Sequence, residues 1–362
     1  MSAPEQVPGT PLLEVTDLAV EFRTPDGAVR AVDGLSYRVE AGRTLAIVGE
    51  SGSGKSVSSL AVMGLLPDTA RITRGSVRLA GTDLLGLSRK EHRARCGEQV
   101  AMVFQDALAA LNPVHTVGYQ LTEALRARRG LSRADARKRA VELLDLVKVP
   151  NAKARVKEYP HQFSGGMRQR VMIASALAMD PDVLIADEPT TALDVTVQAQ
   201  VLRLLAEIQA ERHMGLVLIT HDLGVVAGVA DDVTVMYAGR AVEQAPVVPV
   251  YTTPAHPYTR ALLRSIPSAA GTGRLPVIPG RPPSPAAMPA GCPFHPRCDA
   301  ARDVCRTDAP PRATPAPGRM SACHFAEDIM AGREPAPEAG VSVSGVPASG
   351  TSVPGPKGDS DD

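Results

Sequence analysis

The sequence has 362 residues, 44% of them apolar, with no tryptophan and only 3% aromatic residues. That admits one large domain or two to three modest ones, and an aliphatic α/β core fits better than an all-β sandwich. Lysine plus arginine balances aspartate plus glutamate at 39 each, so the overall charge gives no reason to expect a nucleic-acid partner.

The apolar runs fall far short of the roughly 20 residues a membrane-spanning helix needs. The start, MSAPEQVPGTP, lacks the basic patch and apolar core of a signal peptide. A cytoplasmic chain is expected, and in that compartment structural disulfides are rare.

In chain order, TLAIVG (Thr44 to Gly49) reads as a buried strand running into a glycine turn. The turn, GESGSGKS, comprises Gly49, Glu50, Ser51, Gly52, Ser53, Gly54, Lys55 and Ser56 and matches G-x-x-x-x-G-K-[ST]. A helix is predicted from about Val57 to Leu66, stopped by Pro67. Strand, glycine loop and helix together make an anion cradle: backbone N–H groups and the helix start face phosphate oxygens. Lys55 can reach the β- and γ-phosphates, and the Ser56 hydroxyl is placed to ligate Mg²⁺.

VAMVFQ (Val100 to Gln105) is a second apolar strand, and Arg133 to Val147 carries an apolar stripe at helical spacing. In FSGGMRQR, Ser164 is a natural N-cap for a helix from about Met167 to Met179, so Ser164, Gly165 and Gly166 form a second candidate anion site. The strand VLIAD (Val183 to Asp187) delivers Asp187, suited to Mg²⁺, and then Glu188, suited to accept a proton from an attacking water.

A helix from Val197 to Glu211 follows, then the strand LVLITH (Leu216 to His221), which ends on His221, a candidate contact to the γ-phosphate. VTVMYAGRAVEQ (Val233 to Gln244) reads as two strands around AGR. Most of the 32 prolines lie after residue 245, so regular alternation of strand and helix stops there. The stretch from Ala331 to Asp362, rich in Pro, Gly and Ser, is expected to be disordered.

The order of Gly49–Ser56, Gln105, Ser164–Gly166, Asp187–Glu188, Asp194 and His221 resembles the nucleotide-binding subunit of ABC transporters. FSGGMRQR, EPTTALDVTVQAQ, LNPVHTVGYQL and the later HPYTRALLRSIP look like the oligopeptide/dipeptide uptake branch. The resemblance covers about residues 12 to 330. It implies an α/β, P-loop NTPase (RecA-like) ABC ATPase core with a helical subdomain and a C-terminal proline-rich, cysteine-bearing extension. The implied divisions are a nucleotide-binding domain at 1–255 with a helical subdomain at about 106–174, an extension at 256–330, and a tail at 331–362.

The resemblance further implies an ATP hydrolase that powers peptide uptake from the cytoplasmic face of the membrane. Two such domains pair head to tail, so that Ser164, Gly165, Gly166 and Asp194 serve the partner's ATP. The resemblance favours a different, related chain as that partner, beside two membrane permeases and, indirectly, an extracytoplasmic peptide-binding protein. Gln105 would touch Mg²⁺ and the attacking water. Phe22, ahead of the loop RTPDG, is the candidate for stacking on adenine, with a core position as the other reading. Nickel, opines or another small solute are alternative cargoes, and a non-transport ABC ATPase is the alternative from another class. Nucleic acid is not expected as a partner.

Four of the five cysteines fall late, as C-x5-C-x6-C-x17-C: Cys292, Cys298, Cys305 and Cys323. Zinc sites usually contain close pairs such as C-x2-C, absent here, and the spacing matches no common ferredoxin run either. Spacing alone selects neither metal. The family resemblance implies a 4Fe-4S cluster, with zinc, unmetallated thiols or a disulfide as alternatives and His295 and His324 as nearby substitute ligands. A proline-rich tail with little core of its own would need such a staple. Cys96 stands apart and reads as an ordinary thiol.

Overall fold

The computed structural model describes residues 11–333 except Asp26, Ala192 and residues 267–276. The stretch expected to be disordered lies outside the described residues from 334 onward, as does Pro267 at the end of HPYTRALLRSIP.

The chain opens with an antiparallel hairpin, β1 (Leu13–Thr24) and β2 (Gly27–Val39), followed by β3 (Thr44–Val48) and α1 (Lys55–Val62). Strands β4 (Ala70–Leu79) and β5 (Thr82–Asp83) return to the hairpin and complete a sheet of order β2-β1-β4-β5. Next come α2 (Arg89–Arg95), which starts on a capping box between Ser88 and Glu91, and β6 (Val100–Val103). A helical stretch follows: α3 (Ala107–Ala110), α4 (Val117–Arg129), α5 (Arg133–Leu146), α6 (Ala152–Arg155) and α7 (Gly165–Ala176).

The chain then alternates through β7 (Val183–Asp187), α8 (Val195–Arg212), β8 (Gly215–Thr220), α9 (Leu223–Val226), β9 (Asp232–Tyr237) and β10 (Arg240–Pro246). The last part holds α10 (Val247–Thr252), α11 (Pro257–Arg264), α12 (Asp303–Thr307), the hairpin β11 (Ala313–Ala316) and β12 (Arg319–Ser321), and α13 (Ala326–Met330).

Among the described residues the main sheet has the order β11-β12-β10-β9-β3-β8-β7-β6, parallel from β9 to β6 and antiparallel beyond β9. The central strands are buried on both faces, which is why they read as unbroken apolar runs. Alternate residues of β7 go to different cores. Leu184 and Ala186 join the helical side, whereas Val183 and Ile185 join the antiparallel sheet.

Helix ends differ from the sequence expectation: the helix expected at Val197–Glu211 spans Val195–Arg212, capped by Asp194, and two others differ through their caps and last turns. The helix expected at Val57–Leu66 starts at Lys55, because left-handed Gly54 caps it, and stops at Val62, ahead of left-handed Gly64. The helix expected at Met167–Met179 starts at Gly165, since the Ser164 hydroxyl accepts from the Met167 N–H at 3.3 Å. Its last residues tighten into a 3-10 turn, Leu177–Met179.

The late segment, expected to have little core of its own, packs on the core of the main sheet. Strand β12 pairs with β10 through Glu243 with Ser321 and Gln244 with Met320, so the hairpin extends the main sheet. Phe294 and Tyr258 pack into one buried cluster with Val233, Val235 and Tyr237 of β9. Glu243, fully buried on β10, ties these pieces together. Its carboxylate accepts from the N–H groups of Ala255 (2.8 Å) and His256 (3.0 Å) and from Arg319 Nη2 (3.2 Å). Arg319, itself buried, also donates to the Thr253 hydroxyl at 2.9 Å.

A buried charge left without its partner is strongly unfavourable. Glu243→Ala is therefore expected to destabilise the chain by about 3–5 kcal/mol in urea unfolding. Combining it with Arg319→Met should recover much of that loss; equal losses in the two variants would rule out the stranded charge as the cause.

Candidate functional site

Residues 49–56 connect the end of β3 to the start of α1. Glycine is required there sterically. A Cβ on Gly49 would lie 2.2 Å from the Met236 carbonyl oxygen, and one on Gly54, at φ 95°, would lie 2.5 Å from that of Ala31. The Lys55 ammonium folds over the loop and donates to the carbonyls of Gly49 (2.7 Å) and Glu50 (3.0 Å). Burial pushes its pKa below the usual lysine range, while the carboxylates of Glu188, Asp187 and Glu50 act against that shift. The Ser53 hydroxyl is buried with no hydrogen-bond partner, an unmet polar group inside the cradle.

Asp187 ends β7 and lies against the start of α1, where its Oδ1 accepts from the Ser56 hydroxyl at 3.0 Å. Burial raises its pKa, opposed by that hydrogen bond and reinforced by the Glu188 charge. The next residue, Glu188, has φ 46°, a left-handed conformation uncommon for a side chain of this size, and its N–H donates to the Ile219 carbonyl at 2.9 Å. One Glu188 oxygen accepts from Gln105 Nε2 at 3.0 Å and from the Thr191 hydroxyl at 2.9 Å, with His221 Nδ1 3.5 Å away.

Part of this set lines a cleft of about 530 Å³, within the usual range for a small-molecule site, with Gly49, Asp187 and Thr191 outside its wall. Its wall includes Glu50 to Val57, Gln105, Glu188 and His221, and Lys55 is the one lysine or arginine among the described lining residues. The arrangement offers backbone donors and a cation to an anion, two adjacent oxygen ligands to a divalent ion, and a carboxylate to a water.

Other expected residues stand apart from this cleft. Ser164, Gly165, Gly166 and Asp194 lie where α7 and α8 begin side by side. Ser164 and Asp194 cap the two helices, and a Cβ on Gly166 would meet Val197 Cγ1 at 2.7 Å. Ser164, Gly165 and Asp194 are exposed, so two helix starts face outward together. Phe22 sits on β1 opposite Val29 and Ala70, partly buried against the core beneath that sheet, and is absent from the cleft wall.

Two features escaped the sequence reading. Thr191 follows Glu188 by three residues and fastens its carboxylate, as EPTT could have suggested. Arg297 forms a two-pronged ion pair with Glu50 of the loop at 2.6 and 2.9 Å, and with 247 positions between the partners no local pattern announces it.

All four late cysteines line one small cavity, with Phe294, Phe325 and Ile329 among its walls. Their thiols are unpaired, and burial pushes Cys298 and Cys323 up to about 12 and raises Cys292 as well. His295 and His324 place a ring nitrogen 3.0 Å from the carbonyls of Cys292 and Asp308, respectively. Among the described residues no three His, Cys, Asp or Glu side chains are grouped to hold a single metal ion. Cys96 lies elsewhere, buried beside the Val62 carbonyl, with its thiol pushed up to about 11.

Residues 32–191 match the family model described as ABC transporter, and residues 242–305 the model for the C-terminal region of oligopeptide/dipeptide transporters. The chain is 51% identical over 317 residues to the oligopeptide transport ATP-binding protein OppD of Salmonella typhimurium, covering 87% of this chain and 94% of that one. It is 49% identical over 318 residues to the dipeptide transport ATP-binding protein DppD of Escherichia coli, covering 88% and 97%. Among solved structures it is similar to a dimeric post-hydrolysis state of the ATP-binding cassette MJ0796 bound to ADP and Pi. That match has a TM-score of 0.58 and 26% identity, and covers 65% of this chain and 98% of the other.

Replacing Lys55 with Met removes the lysine from the cleft wall while keeping its aliphatic bulk. Affinity for a fluorescent nucleoside triphosphate is expected to fall by about tenfold or more, as loss of a close charge pair in a half-buried site predicts. An unchanged titration curve would separate Lys55 from the anion site.

Proposed function

The chain belongs to the ABC transporter family, in the branch of oligopeptide and dipeptide ATP-binding subunits, and on that basis we propose how its residues bind and hydrolyse ATP to drive uptake. It is the ATP-binding, ATP-hydrolysing subunit of an oligopeptide/dipeptide importer and works with membrane permease subunits. No helix among the described residues is long and apolar enough to cross a membrane, and we assign the chain to the cytoplasmic face, held there by two permeases. An extracytoplasmic binding protein supplies the peptide.

In this reading the backbone of residues 49–56 cradles the phosphates, and Lys55 leaves the Gly49 and Glu50 carbonyls to neutralise the β- and γ-oxygens. The partnerless Ser53 hydroxyl becomes a donor to the nucleotide. Ser56, Asp187 and Gln105 would hold Mg²⁺, which would supply neutralisation of phosphate charge. Glu188 accepts the proton of the attacking water, and His221 stabilises charge developing on the γ-phosphate. The convergence of Gln105, Thr191 and His221 on one Glu188 oxygen carries this assignment.

Ser164, Gly165, Gly166 and Asp194 serve the ATP of a partner domain, a related chain paired head to tail. The outward-facing starts of α7 and α8 support that reading, as does the dimeric form of the MJ0796 cassette. ATP held between the two chains joins them, and hydrolysis releases them. Adenine stacking by Phe22 would require the side chain to leave the core surface it now covers. The proposed division keeps the nucleotide-binding part at 1–255 with its helical subdomain at about 106–174. The extension at 256–330 is joined to the sheet through β12, and 331–362 forms the tail.

The cysteines are assigned to a 4Fe-4S cluster. Four cysteines around one small cavity suit four-thiolate ligation. The cluster would supply a cross-link between chain segments that hold few elements of regular structure.

Glu188→Gln keeps the shape of the side chain and removes the base. ATP should bind normally while steady-state hydrolysis falls by about a hundredfold or more; turnover near the wild-type rate would refute the assignment. Anaerobically purified full-length protein should contain about four iron and four acid-labile sulfide per chain. One zinc per chain without sulfide would replace the cluster assignment.

A further inference from the structure

Glu50 occupies the second position of the phosphate loop and lines the cleft, and its charge acts on Lys55, so it is felt at the place assigned to a polyanion. A free negative charge there opposes triphosphate binding. The structure meets this from an unexpected direction. Arg297, in a short 3-10 helix (His295–Arg297) between Cys292 and Cys298, donates to both Glu50 oxygens, Nη1 at 2.6 Å and Nη2 at 2.9 Å.

The arginine is built into its place. Its side chain is 4% exposed, its Nε donates to the Pro279 carbonyl at 2.8 Å, and its guanidinium lies 5.7 Å from the ring centre of Tyr237 and 6.0 Å from that of Phe294. The Glu50 N–H is held separately, donating to the Tyr258 hydroxyl at 2.9 Å. The backbone anchor and the charge partner of Glu50 therefore both come from residues beyond 255, from two different segments.

We propose that Arg297 is a positioning residue of the nucleotide site: it neutralises Glu50 and turns its carboxylate toward the extension, leaving the cradle open to the triphosphate. The cysteine-bearing segment is thereby a working part of ATP binding. Whatever orders residues 292–298 sets the position of Arg297, so ordering of that segment and nucleotide affinity are thermodynamically linked. The inference rests on the reading of residues 49–56 as the ATP site, and ATP binding by the unaltered chain together with its loss in Lys55→Met tests that reading alone.

The decisive experiment measures ATP affinity by calorimetric titration of the full-length chain, and KM and kcat in the assembled transporter. Arg297→Met keeps the packing on Tyr237 and Phe294 but strands the Glu50 charge. It should weaken ATP binding by about tenfold, equivalent to 1.4 kcal/mol, and raise KM alike with kcat within about twofold. Arg297→Lys, which keeps the charge, should retain most of the affinity. Adding Glu50→Gln to Arg297→Met removes the stranded charge and should restore affinity to within about threefold of wild type.

A purely structural arginine predicts the opposite for that pair, because the double variant would bind no better than the single. Such a result overturns the proposal, as does wild-type affinity in Arg297→Met. The double variant buries no unpaired charge and so remains a test where Arg297→Met alone does not fold; a tenfold loss in it would also overturn the proposal.

Discussion

Four neighbouring parallel strands end at one edge of the main sheet, and the chemistry of the chain depends on that alignment. In the order β3, β8, β7, β6, their C-terminal ends deliver the phosphate loop at Gly49, His221, the pair Asp187 and Glu188, and Gln105 two residues beyond β6. These positions are spread over more than 170 residues of sequence, yet strand spacing of roughly 5 Å brings them around one cleft. Parallel pairing makes this possible, because each crossover returns the next strand to the same starting edge. The hydrogen bond from Ser56 to Asp187 is the local expression of that geometry, joining the first turn of α1 to the end of β7.

The buried strands of this sheet were legible because burial on both faces demands unbroken apolar runs, and the glycine loop because its steric requirements leave little choice of residue. Gly49 and Gly54 show this directly: each leaves no room for a side chain beside a carbonyl oxygen. Helix ends were less legible, since Lys55 and Gly165 enter their helices through cap geometry that apolar spacing does not encode. The hairpin of β11 and β12 was not visible at all. It is short and contains Pro315 and Pro317, and it is held by pairing to β10 rather than by its own pattern. The Arg297 to Glu50 pair was equally hidden, because both residues read as ordinary charged positions until the fold brings them together.

Three charged residues explain how a proline-rich segment becomes part of the core. Glu243, Arg297 and Arg319 are all buried, and each has its main partners in another segment. Buried ion pairs contribute little net stability compared with apolar packing of the same volume, but they discriminate strongly against arrangements that leave one member alone. The extension thus docks in one register, with Phe294 seated against Tyr237 at 5.2 Å and Tyr258 at 5.3 Å. The four cysteines meet around one cavity as a consequence of that docking, since Cys292 and Cys298 flank the Phe294 to Arg297 turn and pack on the same cluster.

The cleft and the exposed patch at the starts of α7 and α8 are incomplete in complementary ways. The cleft has a cation, hydroxyls and backbone donors on one side and is open on the other. The patch has two capped helix starts facing outward, with Gly166 packed so closely on Val197 that any side chain there would force the helices apart. Helix starts carry partial positive charge; the Asp194 carboxylate covers the start of α8, whereas the start of α7 has only the Ser164 hydroxyl, so an anion beside α7 is favoured. Pairing two cassettes so that each patch covers the other's cleft would satisfy both at once. The phosphate would then be a shared ligand, whose departure weakens the contact between chains more than any contact within one.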